Sequence, residues 1–362
     1  MPALAPLRLT EFVTGLFQAA GVPPADARIV AASLVEANLR GHDSHGVMRV
    51  PQYVEFLERG DYRTSVELIV EHEAPGVVVC DAQWGFGQVQ AQRLLDLVLR
   101  KAKALGVAAG TARHCGHVGR LGEYAERAAA EGMVLIASVN NGGAGQRVAP
   151  PGGLEPRLGT NPLCAAVPTS TDPVVLDFGT SVAAEGKVRV YYINDKAPVP
   201  EGWLQDSQGR PTTDPSVLYE PPLGTILPMG GSQAYKGFGL GLVLDMLTGG
   251  LSGGSTCHPG APPPRGNNVL FLALDAAQFA GLDTLIRQTE CVADYVRNTP
   301  RAPGVEAILL PGDPERRTLA HRSAHGIPLE EAHWVRLAAL AQRLGVPLPD
   351  FASDGSRGDT VQ

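Results

Sequence analysis

The sequence predicts a mixed α/β (α+β) fold: a helical domain built from both chain ends, and a larger domain that holds a sheet. Three observations predict it. Of 362 residues, 43 are Gly and 30 are Pro, about a fifth of the chain against an average near 12%. A long helical bundle or coiled coil does not tolerate so many breakers. Hydrophobic residues make up 44% and charged residues 19%, which excludes a disordered chain. Finally, strand-like and helix-like apolar patterns alternate through the middle, while both ends read as helices. The expected domains are residues 1–70 with 315–362, and residues 71–314.

The elements follow in order. Thr10 is expected to cap a first helix ending at Gly21. Pro24 opens a second, with Ile29, Val30, Leu34 and Val35 on one side and Gly41 as its stop. Val50–Arg59 reads as a third, with Pro51 in its first turn. Val77–Cys80 reads as a strand and Gln88–Leu105 as a helix with Val89, Leu94, Leu97, Val98 and Leu105 on its inner side. Val107–Thr111 and Val134–Val139 read as strands with a helix over Leu121–Ala130 between them. Val174–Leu176, Val269–Leu274 and Ile308–Leu310 are further strands; Phe238–Leu247, Leu282–Arg297 and Leu329–Leu344 are helices.

Charge and apolar content exclude several partners. The net charge is −7 and no Lys/Arg run supplies a nucleic-acid face. The longest apolar runs, such as Met133–Val139, fall far short of the roughly 20 residues of a membrane span. The N-terminal residues lack a signal pattern, so a cytoplasmic enzyme is expected. Five widely spaced cysteines (80, 115, 164, 257, 291) read as reduced thiols.

Chemistry concentrates in a few turns. Gly41-His-Asp-Ser-His-Gly46, followed by Arg49 and Tyr53, packs two imidazoles, a carboxylate and a hydroxyl between glycines. His45 suits a general acid/base, since imidazole titrates near neutrality. Ser44 suits a proton relay, and Arg49 a bidentate carboxylate clamp. The bland alternative is a polar helix-capping turn. Arg113-His-Cys-Gly-His-Val-Gly-Arg120 leads into a helix, a natural place to hold an anion or a carbonyl, with His117 and Arg120 as candidates. The two H-x-x-H pairs also raise zinc, but four glycines interrupt them and no H-E-x-x-H or C-x-x-C accompanies them. Arg157-Leu-Gly-Thr-Asn-Pro162 supplies a turn with a hydroxyl and an amide, and Asp177 closes an apolar strand, where a carboxylate can meet ribose hydroxyls. Tyr235-Lys-Gly-Phe-Gly-Leu240 opens a helix with a lysine suited to phosphate. No G-x-G-x-x-G is complete anywhere. The residues alone reach an enzyme with histidine acid/base chemistry on a carboxylate substrate and a phosphate-bearing cofactor.

The ordered set GHDSHGV, HVGRLGEYAE, RLGTNP, DF-x-TS with the later GK, YKGFGLGL, LTGGLSGG and LLPGDPE resembles the type 2 malate/L-lactate dehydrogenase family, and within it the hydroxycarboxylate dehydrogenase B and malate dehydrogenase-like group. The likeness runs from about residue 10 to about residue 345. It implies an NAD(P)-dependent oxidoreductase with a non-Rossmann nucleotide domain, so the missing fingerprint is expected. It implies a homodimer acting on a small 2-oxoacid or 2-hydroxyacid, with NAD as cofactor and NADP left open. By position, Ser44, His45 and His117 fall on catalytic residues, and Arg49, Tyr53 and Thr160 on the substrate site. Arg120, Asn140, Asp177, Phe178, Gly179, Lys187, Lys236, Gly312 and Asp313 fall on or near cofactor positions. No metal is implied.

Two departures matter. The family's cyclic-imine reductases carry Asp where this chain has Lys187, which argues towards 2-oxoacid chemistry, with imine reduction as the alternative. Gly179 replaces the usual alanine. The Pro259–Asn268 loop is unassigned, and the substrate's side chain stays open.

Overall fold

The computed structural model describes residues 3–193, 195–261, 263 and 265–349. Its helices are α1 (Pro6–Ala19), α2 (Pro24–Leu39), α3 (Val50–Glu58), α4 (Gly87–Leu105), α5 (Gly122–Ala130), α6 (Glu185–Ile193), α7 (Tyr235–Leu251), α8 (Leu282–Arg297), α9 (Asp313–His325) and α10 (Glu331–Leu344). Its main strands are β1 (Ile69–Ala74), β2 (Val77–Asp81), β3 (Val107–Gly116), β4 (Met133–Asn140), β5 (Leu163–Val167), β6 (Val174–Phe178) and β7 (Gly266–Asp275). The chain divides into two compact units, residues up to 59 with those from 314 on, and residues 60–313. The first break lies between Arg59 and Gly60, ahead of the expected position 70, because the segment before β1 is already bonded into the second unit: the Arg63 N–H donates to the Trp84 carbonyl at 2.9 Å.

The first unit is helical. α1 buries Leu9, Phe12, Val13, Leu16 and Phe17, the i, i+3, i+4, i+7, i+8 stripe of a helix with one face on a core. It starts at Pro6, not after a Thr10 cap. Pro6 suits the first helical position, where the missing N–H costs nothing. The Thr10 hydroxyl, already inside the helix, donates back to the Pro6 carbonyl at 2.9 Å. From the other chain end, α10 buries Leu337, Leu340 and Ala341, and Trp334 meets Phe12 with ring centroids 6.0 Å apart. Ala3–Leu4 pairs antiparallel with Ile327–Pro328, tying the two ends together.

The second unit centres on a seven-stranded sheet ordered β1-β2-β3-β7-β4-β5-β6. Only β2–β3 is parallel; the other pairs are antiparallel. A doubly wound Rossmann sheet is parallel throughout its nucleotide-binding half, so this is a different architecture. α4 packs on it through Leu94, Leu95, Val98, Leu99 and Ala102, all buried. α5 adds Tyr124, Ala125, Ala128 and Ala129. A smaller three-stranded sheet joins Leu204–Gln205, Pro211–Thr212 and Thr225–Ile226.

The strand expected at Ile308–Leu310 is absent; that segment is coil. Its successor Pro311 nevertheless accepts a hydrogen bond from the Val175 N–H at 3.2 Å. In the Pro259–Asn268 loop, Pro262 and Pro264 lie outside the described residues, and β7 already begins at Gly266.

Candidate functional site

Each unit carries its own group of candidate residues. In the first, α2 ends at Leu39 and the chain turns through Gly41, whose φ of +83° is a left-handed position that favours glycine. Two single 3₁₀ turns follow, Asp43–His45 and Val47–Arg49, and lead directly into α3. Asn38, buried on α2, braces this segment. Its Oδ1 accepts from the Val47 N–H at 2.8 Å, and its Nδ2 donates to Asp43 Oδ1 at 2.6 Å. Gly46 makes that brace fit, because a Cβ there would lie 2.2 Å from Asn38 Oδ1. Asp43 is also gripped by both guanidinium nitrogens of Arg322, at 2.6 and 3.0 Å. His42 faces Glu315 at 3.3 Å.

On this braced turn the Ser44 hydroxyl lies 3.0 Å from His45 Nδ1. That contact sets the ring's orientation and leaves Nε2 as its other proton-carrying position. Arg49 donates from Nε to the Ser44 carbonyl at 2.7 Å and from Nη1 to Gln52 at 2.9 Å. The guanidinium plane is therefore fixed to the same turn that carries the imidazole. An imidazole and a guanidinium thus share one braced element. Tyr53 differs: it is buried on α3 with its ring 6.4 Å from that of Phe17. Its burial places it in the packing of the helical unit, after the turn that carries Ser44 and His45 in the sequence.

In the second unit His117 follows the end of β3. The expected loop is shorter than the sequence suggested, since β3 runs on through Gly116 and takes Arg113, His114 and Cys115 into the sheet. His114 is paired with Asp81 at 3.0 Å. His117 is held by its backbone. Its N–H donates to the Tyr62 hydroxyl at 2.8 Å, and the Gly119 N–H donates to its Nδ1 at 3.3 Å. With Nδ1 accepting, the ring proton sits on Nε2, the atom suited to donate to a carbonyl oxygen. Close glycine packing fixes the main chain here. A Cβ on Gly87 would lie 2.2 Å from the Gly116 carbonyl oxygen and 2.3 Å from that of His117.

Thr160 is half-buried in its turn. The Thr180 N–H and hydroxyl both donate to its carbonyl, at 2.9 and 3.1 Å. Gly179 lies against it, and a Cβ there would meet the Thr160 carbonyl oxygen at 3.4 Å. The alanine usual in the family therefore fits with ordinary contact, and the departure is sterically minor. Asp177 Oδ2 accepts from the Gly122 N–H at 2.7 Å, capping the start of α5, and Phe178 ends β6 half-buried.

Several cofactor candidates turn out to be framework. Arg120 is buried with its guanidinium on Glu126, at 2.6 and 3.3 Å. Asn140 is buried among Asp245, Ser255 and Asn268. Asp313 Oδ2 accepts from the Leu310 N–H at 2.8 Å and pairs with Arg297, after Gly312 at φ +92°. Arg120 and Asn140, expected as cofactor residues, are buried with their side chains bonded within the protein, which suits them to a supporting place. Lys187 and Lys236 are exposed. Lys236 stands in the first turn of α7, a 17-residue helix whose N-terminus has no side-chain cap, and nothing lies within 4 Å of a Cβ built on Gly239. Uncapped N–H groups, a lysine and open space suit a phosphate.

Four of the thiols are held in the protonated form. Burial pushes Cys80 up to about 12 and Cys257 to about 11, and raises Cys115 and Cys164 as well. Sequence reasoning missed Asn38, Arg322 and Asp245. The last had a readable signal: it is the lone acid in the apolar run Tyr235–Leu251.

Comparison with known proteins gives a consistent result. The family model described as malate/L-lactate dehydrogenase matches residues 4–338. Hydroxycarboxylate dehydrogenase B of Escherichia coli (strain K12) is 36% identical over 343 residues, 94% of this chain and 93% of that protein. The structure of malate dehydrogenase from Pyrococcus horikoshii OT3 superposes with a TM-score of 0.86 at 31% identity, covering 95% of this chain and 96% of the other. The Δ1-piperideine-2-carboxylate reductase of Pseudomonas syringae pvar. tomato superposes at 0.79 with 30% identity, covering 94% and 100%.

Proposed function

The chain belongs to the malate/L-lactate dehydrogenase family, a family of oxidoreductases, and from that premise we propose that it interconverts a small 2-oxoacid and the corresponding 2-hydroxyacid. One observation carries the reading: His45, with Ser44 3.0 Å from its Nδ1, and Arg49, bonded at 2.7 Å to the Ser44 carbonyl, share one short braced turn. Carbonyl reduction beside a carboxylate needs this pairing of a proton donor with an anion clamp.

Arg49 holds the substrate carboxylate through its planar fork and so sets the direction in which C2 is presented. His45 gives a proton from Nε2 to the C2 oxygen in reduction and takes it back in oxidation, with Ser44 steadying the imidazole. His117, with its ring proton on Nε2, is a second candidate donor to charge developing on a carbonyl oxygen. Thr160 contributes its hydroxyl to substrate. A nicotinamide cofactor, NAD on the family resemblance, supplies the hydride when bound. Lys236 and the start of α7 suit its phosphates. Lys187, Asp177, Phe178, Gly179, Gly312 and Asp313 complete the proposed cofactor set, with Arg120 and Asn140 behind it.

The similarity to a piperideine-carboxylate reductase supports imine reduction as a second reading, and Lys187 in place of that subfamily's Asp counts against it. The deciding experiment is a panel of 2-oxoacids and cyclic imines with NADH and NADPH, read by cofactor absorbance. Oxidation of cofactor with a 2-oxoacid supports the first reading; turnover of the imines alone overturns it.

A homodimer belongs to the same proposal. No helix of the described residues is long and apolar enough to cross a membrane, yet α7 leaves Val243, Met246, Leu247 and Leu251 exposed on one side. A second copy of the chain would cover this stripe. Met246→Asp is expected to shift the protein from dimer to monomer in sedimentation; an unchanged dimer rejects this surface.

A further inference from the structure

Asp245 is 2% exposed, and among the described residues no Lys, Arg or His forms an ion pair with it. A buried carboxylate without a cation is costly unless neutral donors satisfy it. Here they do so from three separate segments. Asn140, at the end of β4, donates to Oδ1 at 3.0 Å. Asn161, next to Thr160, donates to the same oxygen at 3.4 Å. The Cys257 N–H donates to Oδ2 at 2.8 Å, and its thiol lies 3.7 Å from Oδ1. Only a group that accepts at both oxygens can hold all of these donors at once.

The network reaches the candidate residues on both sides. Asn161 is fixed to α7 a second time through the Gly241 carbonyl at 3.0 Å. Thr180 donates to the carbonyls of Thr160 and Asn161, each at 3.1 Å. In the other direction, the Asn140 carbonyl accepts from Asn267 Nδ2 at 3.1 Å. Asn267 Oδ1 in turn accepts from the Val118 N–H at 3.0 Å, one residue beyond His117. A continuous chain of buried polar contacts thus joins the His117 loop to the Thr160 turn, and Asp245 is its acceptor hub.

We propose that Asp245 is a positioning residue that sets the Thr160 turn through Asn161. This rests on the reading above, in which Thr160 contacts substrate. Asp245 touches neither substrate nor cofactor; it acts as a hydrogen-bond acceptor and not as a charge. The difference between those two roles is measurable.

Asp245→Ala removes the hub and is expected to lower kcat/KM about ten- to a hundredfold. Asp245→Asn keeps a carbonyl oxygen for Asn140 and Asn161 but sets its NH2 against the Cys257 N–H, so it is expected to recover only part of the loss, at least about threefold above Asp245→Ala and below wild type. In a Thr160→Val background the Asp245→Ala loss is expected to shrink to about twofold, since both changes act on one contact. Should Asp245→Ala fail to fold, Asn161→Ala replaces it in the same cycle, with the same expected non-additivity. Three results overturn the proposal: Asp245→Ala within about twofold of wild type, Asp245→Asn as damaged as Asp245→Ala, or fully additive losses with Thr160→Val. If the wild-type protein turns over no 2-oxoacid, or Thr160→Val alone has no effect, the functional reading fails separately. Amide hydrogen exchange over residues 158–163 then decides the network by itself. Exchange at least about tenfold faster in Asp245→Ala supports it, and unchanged exchange rejects it.

Discussion

Gly87→Ala is the sharpest probe of how the fold holds His117. The added Cβ would sit 2.2 Å from the Gly116 carbonyl oxygen, 2.3 Å from the His117 carbonyl oxygen and 2.4 Å from the His117 carbonyl carbon. An ordinary carbon–oxygen contact is about 3.3 Å, so the two backbones must separate by about 1 Å. The atoms met are main chain, and no side-chain rotation relieves them. Alanine gains at most about 1 kcal/mol over glycine in helix propensity, and less at the first residue of α4. Overpacking costs about 1–3 kcal/mol or more, so the clash wins and net destabilisation of about 1–2 kcal/mol is expected. A 1 Å displacement of a catalytic group costs on the order of 100-fold in rate. Urea unfolding and kcat/KM on the active 2-oxoacid test both numbers. An unchanged or raised unfolding free energy, with kcat/KM within about twofold of wild type, would refute the reasoning.

Other expected outcomes follow from single contacts. Arg49→Lys keeps the charge but loses the planar fork, so KM for the oxoacid is expected to rise about ten- to a hundredfold with a smaller change in kcat; an unchanged KM would remove Arg49 from the substrate site. His333, buried on α10 with Nε2 unbonded, has its pKa lowered from 6.5 by burial and by Arg336, against opposing pulls from Glu330 and Asp43. The unfolded chain therefore takes up a proton at this side chain at a higher pH than the folded one. The folded state is unaffected well above 6.5 and loses stability as pH falls through 6.5 towards the lower folded value. The Tm of His333→Phe relative to wild type is expected to rise as pH drops through that range, and a difference independent of pH would contradict the assignment.

Much of the fold was legible because local pattern and burial agree. In α4 the spacing of Val89, Leu94, Leu97, Val98 and Leu105 marked the inner face; Val89, Leu94 and Val98 are buried and Leu97 packs against the core, whereas Leu105, the last residue of the helix, is exposed. The turn at Ser44–His45 was legible because its glycines and polar residues are contiguous. Elements whose cause is tertiary were not. β1 reads Ile-Val-Glu-His-Glu-Ala and is almost wholly exposed, so no alternating apolar signal announces it; pairing with β2 makes it a strand. β7 comes late in the chain yet sits between β3 and β4, which no local window encodes. Ile308–Leu310 had a strand's composition but no strand to pair with. Arg120 and Asn140 lie close in sequence to candidate site residues but point into the framework, and only the partners Glu126 and Asp245 reveal that.

The central claim is that His45 moves the proton while Arg49 holds the carboxylate. Its most direct test is kcat for oxoacid reduction by wild type and His45→Asn, with circular dichroism confirming that both fold alike. The account predicts a loss of about 10²- to 10⁴-fold in kcat with the fold unchanged. A His45→Asn protein with near-wild-type kcat would contradict it.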